Sequence, residues 1–170
     1  MSLGGKFIEV EGASDDKGAG GYAVEQTEEY RKRQNELVQE YAIKSDVVIC
    51  TAQIPGRKAP LLVTEDTLKS MKSGSVVVDL AASSGGNCAK TENAKTIQAH
   101  GVTIIGDSNL PASLPADASK MYGKNIINFF KESFQEGATS FDFENEILAG
   151  ACITHKGEVI SPRVKSKLEN

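Results

Sequence analysis

Several absences narrow this sequence before any feature is read. No apolar run approaches the roughly 20 residues that a helix needs to cross a bilayer, and Met1-Ser2-Leu3-Gly4 opens without a signal-peptide pattern. Positive charge is not in excess. The 19 Lys and Arg stand against 23 Asp and Glu, for a net charge of -4, so neither a nucleic acid nor an anionic membrane surface is the expected partner. Cysteine is scarce: Cys50, Cys88 and Cys152 are odd in number, widely spaced and without a C-x-x-C pair. His100 and His155 are distant from them and from each other in the chain. That spacing argues against a structural zinc site and for a reduced, intracellular setting.

What is present fits a globular domain. The 170 residues, 39% hydrophobic and 25% charged, can bury one ordinary core, with room for a small appendage. Phe7-Ile8-Glu9-Val10 is a candidate strand, followed by a glycine-rich loop from Gly12 to Gly21. Helical spacing of Tyr30, Leu37, Val38, Tyr41 and Ala42 predicts a charged helix from about Glu25 to Lys44, opened by Thr27, Glu28 and Glu29. Asp46 to Thr51 is a compact apolar strand, and Thr64 caps a short helix that ends by Gly74. Ser75 to Leu80 is the clearest strand, with three consecutive valines as in a strand buried on both faces. Val102 to Gly106 is another, and a long helix runs from about Ala116 to Phe134. Strands alternating with helices predict a parallel sheet with helices on its faces. After Gly137 the pattern changes, with alternation over Ser140 to Glu144 and a hairpin around Lys156-Gly157. His100 reads as a helix-terminal residue and His155 as solvent-facing.

Such a sheet binds ligands beyond the carboxyl ends of its strands. Two segments belong there. Thr51-Ala52-Gln53-Ile54-Pro55-Gly56 offers small residues and a fixed turn, and Asp79 to Asn87 leaves the valine strand through Gly85-Gly86. Two readings of Asp79 stay open, a residue at a nucleotide site and a carboxylate that braces the loop through backbone N–H groups. For Asn87 they are a polar ligand contact and a turn residue. The G-x-G-x-x-G turn that holds a pyrophosphate is missing, and Gly18-Ala19-Gly20-Gly21 has the wrong spacing for it.

The run Thr51 to Pro60 resembles the T-A-L-I-P-G-x-x-A-P segment shared by alanine dehydrogenase and the NAD(H)-binding domain of proton-translocating NAD(P) transhydrogenase. Met71 to Ala81 is similar to the next shared block, and Gly85-Gly86-Asn87-Cys88 has the transhydrogenase form. Alanine dehydrogenases carry a catalytic aspartate two residues before the glycine pair, where this sequence has Ser83. Gly18 to Tyr22 is similar to the family's mobile loop. Leu114 to Ser119 and Tyr122 to Asn128 resemble its return to a companion subdomain.

The resemblance implies an α/β, Rossmann-like parallel sheet with flanking helices, lacking the first two strands, plus a short β-rich C-terminal tail. Phe7 to Val10 would then be the third strand, and the central strand would keep an open edge. Residues 4–136 would form part of an NAD(H)-binding domain and 137–170 a tail belonging to the companion subdomain. The implied activity is hydride transfer from NADH to NADP+, the latter on a separate domain, coupled to proton translocation by a membrane domain. No side chain here would be catalytic. Tyr22, Thr51, Ala52, Gln53, Ile54, Asp79, Leu80, Gly86 and Asn87 would lie against NAD, with Tyr22 closing over it. The implied partners are those two domains and a second copy in a homodimer. The implied place is peripheral to a membrane, on its cytoplasmic or mitochondrial-matrix side. The isolated chain would bind NADH poorly. An alanine-dehydrogenase-like enzyme and a docking fragment without a nucleotide role are the alternatives.

Overall fold

In the computed structural model the described residues are 4–10, 27–54, 56–133 and 141–168. Tyr22 and the glycine-rich loop around it lie outside them. The apolar runs form β1 (Val47–Cys50) and β2 (Val76–Asp79), paired in parallel with Val47 opposite Val76 and Cys50 opposite Asp79. On its other side β2 pairs in parallel with β4 (Val102–Ile105). β3 (Thr96–Ala99) pairs antiparallel with β4, giving the order β1-β2-β4-β3. The expected Rossmann-like arrangement of parallel strands with helices is therefore present.

β3 departs from the sequence pattern, which puts the end of a helix before His100. His100 and Gly101 have φ of 54° and 78°. Two consecutive residues with positive φ make the tight hairpin turn that matches strand twist, and histidine tolerates that region better than a branched residue does. The chain therefore doubles back from β3 into β4. Phe7 to Val10 departs in the other direction. It is extended but forms no strand, and Phe7 is largely exposed. A strand needs a partner ladder, and these residues have none.

Every second residue of β2 and β4 is buried. Val77, Val102 and Ile104 join Cys50, Val63, Leu68, Met71 and Cys88 in one core, with Val48, Ile97 and Ala99 packed against it. The residues between them are half-buried, and Val47 and Ile49 of β1 are exposed. Among the described residues β1 is paired on one side only. Leu68 comes from α2 (Glu65–Ser70), whose N-cap Thr64 accepts from the Thr67 N–H. Complete burial of such a leucine contributes about 1.5–3 kcal/mol.

α1 (Glu28–Lys44) starts at the expected cap, Thr27, whose hydroxyl accepts from the Tyr30 N–H. It is polar and mostly exposed, with Ala42 its one buried residue. Gln39 fixes it. Its Nε2 donates to Leu62 O (2.7 Å) and to Asn35 Oδ1 (2.9 Å), while its Oε1 accepts from Thr64 N and Thr67 Oγ1.

The chain divides into two compact units, 1–110 and 111–170. The division precedes the long helix α4 (Pro115–Ser133), where the sequence pattern puts it after that helix. α3 (Leu110–Ser113) spans it. Within the second unit α4 contacts α5 (Glu146–Ala151). β5 (Thr154–His155) and β6 (Glu158–Val159) form a two-residue hairpin around Lys156-Gly157, both with positive φ. α6 (Pro162–Leu168) follows. The tail thus holds the expected hairpin but more helix than strand. Phe141 to Glu144 is a turn closed by Asp142, which accepts from the Glu144 N–H. His155 is half-buried with its ring edge-on to Phe143, not solvent-facing.

Candidate functional site

Because β1 and β2 are parallel neighbours, their carboxyl ends open on the same side of the sheet. The segment Thr51–Ile54 and the loop from Leu80 to Cys88 therefore meet. The Leu80 N–H donates to Cys50 O (2.9 Å), and Gln53 Nε2 donates to Leu80 O (3.0 Å). The third contributor is the stretch Ala59 to Val63. Ala59 N donates to Ser84 O, and Val63 makes an isolated parallel bridge with Cys88.

The residues expected from sequence separate into a rim and a brace. Thr51, Gln53, Ile54 and Leu80 are exposed and Ala52 is half-buried. Asp79, Gly86 and Asn87 lie buried beneath them. Asp79, at 0% exposure, is saturated with donors. Its Oδ1 accepts from Ala81 N (3.0 Å). Its Oδ2 accepts from Asn87 N (2.7 Å), Cys88 N (3.0 Å) and Thr91 Oγ1 (2.5 Å). The bracing reading of Asp79 is thus the one its geometry supports. Burial of a carboxylate is tolerable only with such compensation.

Asn87 is also fully buried. Its Oδ1 accepts from Ala52 N (3.1 Å), and its Nδ2 donates to Ala52 O (2.9 Å) and Pro60 O (2.7 Å). Its own carbonyl accepts from Leu62 N and Val63 N. Asn87 is therefore neither a free polar contact nor a plain turn residue. Gly85 and Gly86 have φ of 100° and 79°. The side chain of Lys58 lies over Gly85, where a Cβ would sit 2.9 Å from Lys58 Cγ.

Sequence reasoning missed Thr91, the hydroxyl donor to Asp79, and the Lys58 stem over Gly85. Neither has a local signal, because both contacts arise only once distant segments meet. The loop from Leu80 to Cys88 holds no carboxylate, and Ser83 is exposed. With Asp79 fully occupied, no acid or base faces the rim from this loop. Among the described residues no group of His, Cys, Asp and Glu is placed to hold a metal ion.

Cys50 and Cys88 lie in the core beneath the brace. Burial, with lesser contributions from the Asp79 charge and from Cys88, pushes the Cys50 thiol up to about 12. Burial also raises that of Cys88. Thiolate is the reactive form, so at pH 8 a thiol reagent should modify Cys152, which is partly exposed, and leave Cys50 and Cys88 intact until the protein unfolds. Mass mapping of the labelled peptides checks this; early labelling of Cys50 would contradict the burial. Glu65 accepts from Lys90 and contacts His100. That cluster belongs to the start of α2, not to the rim.

Comparison with known proteins matches these features to a family. The family model described as alanine dehydrogenase/PNT, C-terminal domain, matches residues 1–162. The first of the separate chains that make up NAD(P) transhydrogenase subunit alpha in Rhodospirillum rubrum is 43% identical over 165 residues, covering 95% of this chain and 43% of that protein. NAD(P) transhydrogenase subunit alpha of Haemophilus influenzae is 40% identical, covering 95% and 32%. Alanine dehydrogenase 2 of Staphylococcus aureus is 32% identical over a shorter 134 residues, covering 76% and 36%. The solved transhydrogenase of Sinorhizobium meliloti superposes with a TM-score of 0.58 at 41% identity, over 76% of this chain and 36% of that one. An L-alanine dehydrogenase structure shares the fold, with a TM-score of 0.61 at 22% identity over 79% and 38%. The chain spans less than half the length of these relatives. With a family model across nearly all of its length, the chain belongs to the alanine dehydrogenase/PNT C-terminal-domain family.

Proposed function

We propose that this chain forms part of the NAD(H)-binding component of a proton-translocating NAD(P) transhydrogenase. The observation that carries the reading is the rim of Thr51, Gln53, Ile54 and Leu80, set over a brace that leaves the loops little freedom. Apolar Ile54 and Leu80 with polar Thr51 and Gln53 suit a flat ring bearing an amide, such as nicotinamide. The same residues offer no glycine-rich cradle for a pyrophosphate, so they fit one end of the nucleotide. NADH, when bound, supplies the hydride. The chain's own part is to orient the ring and keep water from it. We assign the phosphate cradle to the rest of a longer protein, the closing of the site to Tyr22, and NADP(H) to a separate domain. A membrane domain and a second copy of the component complete the proposed assembly. Among the described residues no helix is long and apolar enough to cross a membrane, which accords with a component peripheral to one. An amino-acid dehydrogenase reading finds no support in the loop from Leu80 to Cys88, where Ser83 stands and no carboxylate is free.

A chimera tests the proposal. Residues 4–168 replace the matching stretch of the Rhodospirillum rubrum subunit, which is then mixed with its partner subunits. Hydride transfer from NADH to NADP+ should persist within about tenfold of the parent rate, with no NADH formed from NAD+ and alanine. A folded, assembled chimera that transfers no hydride, or one that oxidises alanine, would overturn the proposal. The chain alone should show no saturable binding of NADH by calorimetry in the micromolar range.

A further inference from the structure

We infer that Asn87 is a positioning residue, whose side-chain amide replaces a missing strand partner and sets the Thr51–Ile54 segment for its ligand. The ligand half of this inference rests on the nucleotide reading above. The amide of Asn87 presents one acceptor and two donors. Ala52 and Pro60 supply their matching set: one N–H and two carbonyls. The Ala52 N–H and C=O both pair with that amide, forming the two-bond ring that two facing peptide groups form in a ladder. The regular ladder between β1 and β2 runs from Val47 to Cys50. Beyond it, at Ala52, a side chain does what a backbone would do.

Residue 87 also ties the remaining pieces together. Its N–H reaches Asp79, and its carbonyl receives Leu62 and Val63. The exit of β1, the stretch Pro60–Val63 and the glycine loop thus move as one body. The rim gains its geometry without contact between Asn87 and the ligand, since Asn87 is fully buried and its amide is spent within the protein. No other side chain makes the same set. Aspartate lacks both donors, serine has one hydroxyl, and glutamine is longer by a methylene in a closed space.

Hydrogen exchange on the 170-residue chain tests the positioning role without any ligand. In Asn87→Ser the amide of Ala52, and peptides covering 51–62, should exchange at least about tenfold faster than in the parent, with β4 unchanged. Val77→Ala, a core truncation in β2, serves as the control and should raise exchange across the sheet. Asn87→Asp should resemble Asn87→Ser, because a carboxylate would face the two carbonyls. Unchanged exchange over 51–62, or a uniform rise like that of the control, overturns the inference.

The ligand role is read in the chimera. Asn87→Ser should raise the KM for NADH about tenfold and leave kcat within about twofold, the signature of lost ground-state binding. A purely structural defect would lower kcat through loss of active protein at constant KM, and that result also overturns the inference. If the parent chimera shows no NADH activity, the nucleotide reading fails by itself, and the exchange experiment still decides whether Asn87 positions the loop.

Discussion

Asp79→Ala should lower the unfolding free energy of the sheet unit by about 4–6 kcal/mol, read as a shift of the urea midpoint by far-UV circular dichroism. The substitution strands four donors in a site closed to solvent: the N–H groups of Ala81, Asn87 and Cys88, and the Thr91 hydroxyl. Each buried donor without a partner costs about 1–3 kcal/mol, and the costs add incompletely because the loop relaxes. Against a total stability of about 5–15 kcal/mol for an ordinary domain, the loss approaches unfolding. Asp79→Asn separates charge from geometry. Its oxygen can keep the three donors at the Oδ2 position, while its NH2 confronts the Ala81 N–H alone. The loss should then be about 1–3 kcal/mol. Equal effects of alanine and asparagine would show that the donor set is not what Asp79 contributes.

Gly86→Ala should cost about 3 kcal/mol, although it adds a single methyl group. Two terms combine. At φ +79° an L side chain is strained by roughly 1–2 kcal/mol. The new Cβ would also lie 2.8 Å from Thr91 Cβ and 2.9 Å from Asp79 Oδ2. The second contact is with a carboxylate already fixed by its donors, so the methyl group displaces the brace itself. Gly85→Ala is the informative comparison, with a similar φ of 100°. Its Cβ meets the flexible stem of Lys58, which can swing away, so the loss should stay near the backbone term of about 1–2 kcal/mol. Thermal unfolding of both variants side by side decides this. If Gly86→Ala proves no costlier than Gly85→Ala, the close approach to Asp79 carries no energy.

The elements legible in the sequence are those specified by adjacent residues. Three valines before Asp79 mark β2, and Thr27 and Thr64 mark helix starts by their hydroxyls. β3 is short, and its turn uses His100 where Asn or Asp is the usual sign, so its alternation passes for the end of a helix. The division at residue 110 depends on which elements pack together, and that is not local. For the site, position after a strand identifies the loops that meet at the sheet's carboxyl edge. It does not say which side of a loop each residue takes. Asp79 and Asn87 have the polarity of ligand contacts, yet their partners come from as far along the chain as Thr91 and Ala52. Sequence spacing cannot distinguish a carboxylate facing outward from one facing its own loop.

Gln39 has a geometric consequence for α1. An apolar helix face can slide or roll over a core while retaining much of its contact. α1 buries only Ala42 and is held by a side chain that meets Asn35, Leu62, Thr64 and Thr67 together. Those four partners are satisfied at one rotational phase of the helix and one axial offset. The polar anchor therefore indexes α1, and Thr27, more than three turns upstream of Gln39 at 3.6 residues per turn, inherits a fixed point in space from which the helix begins.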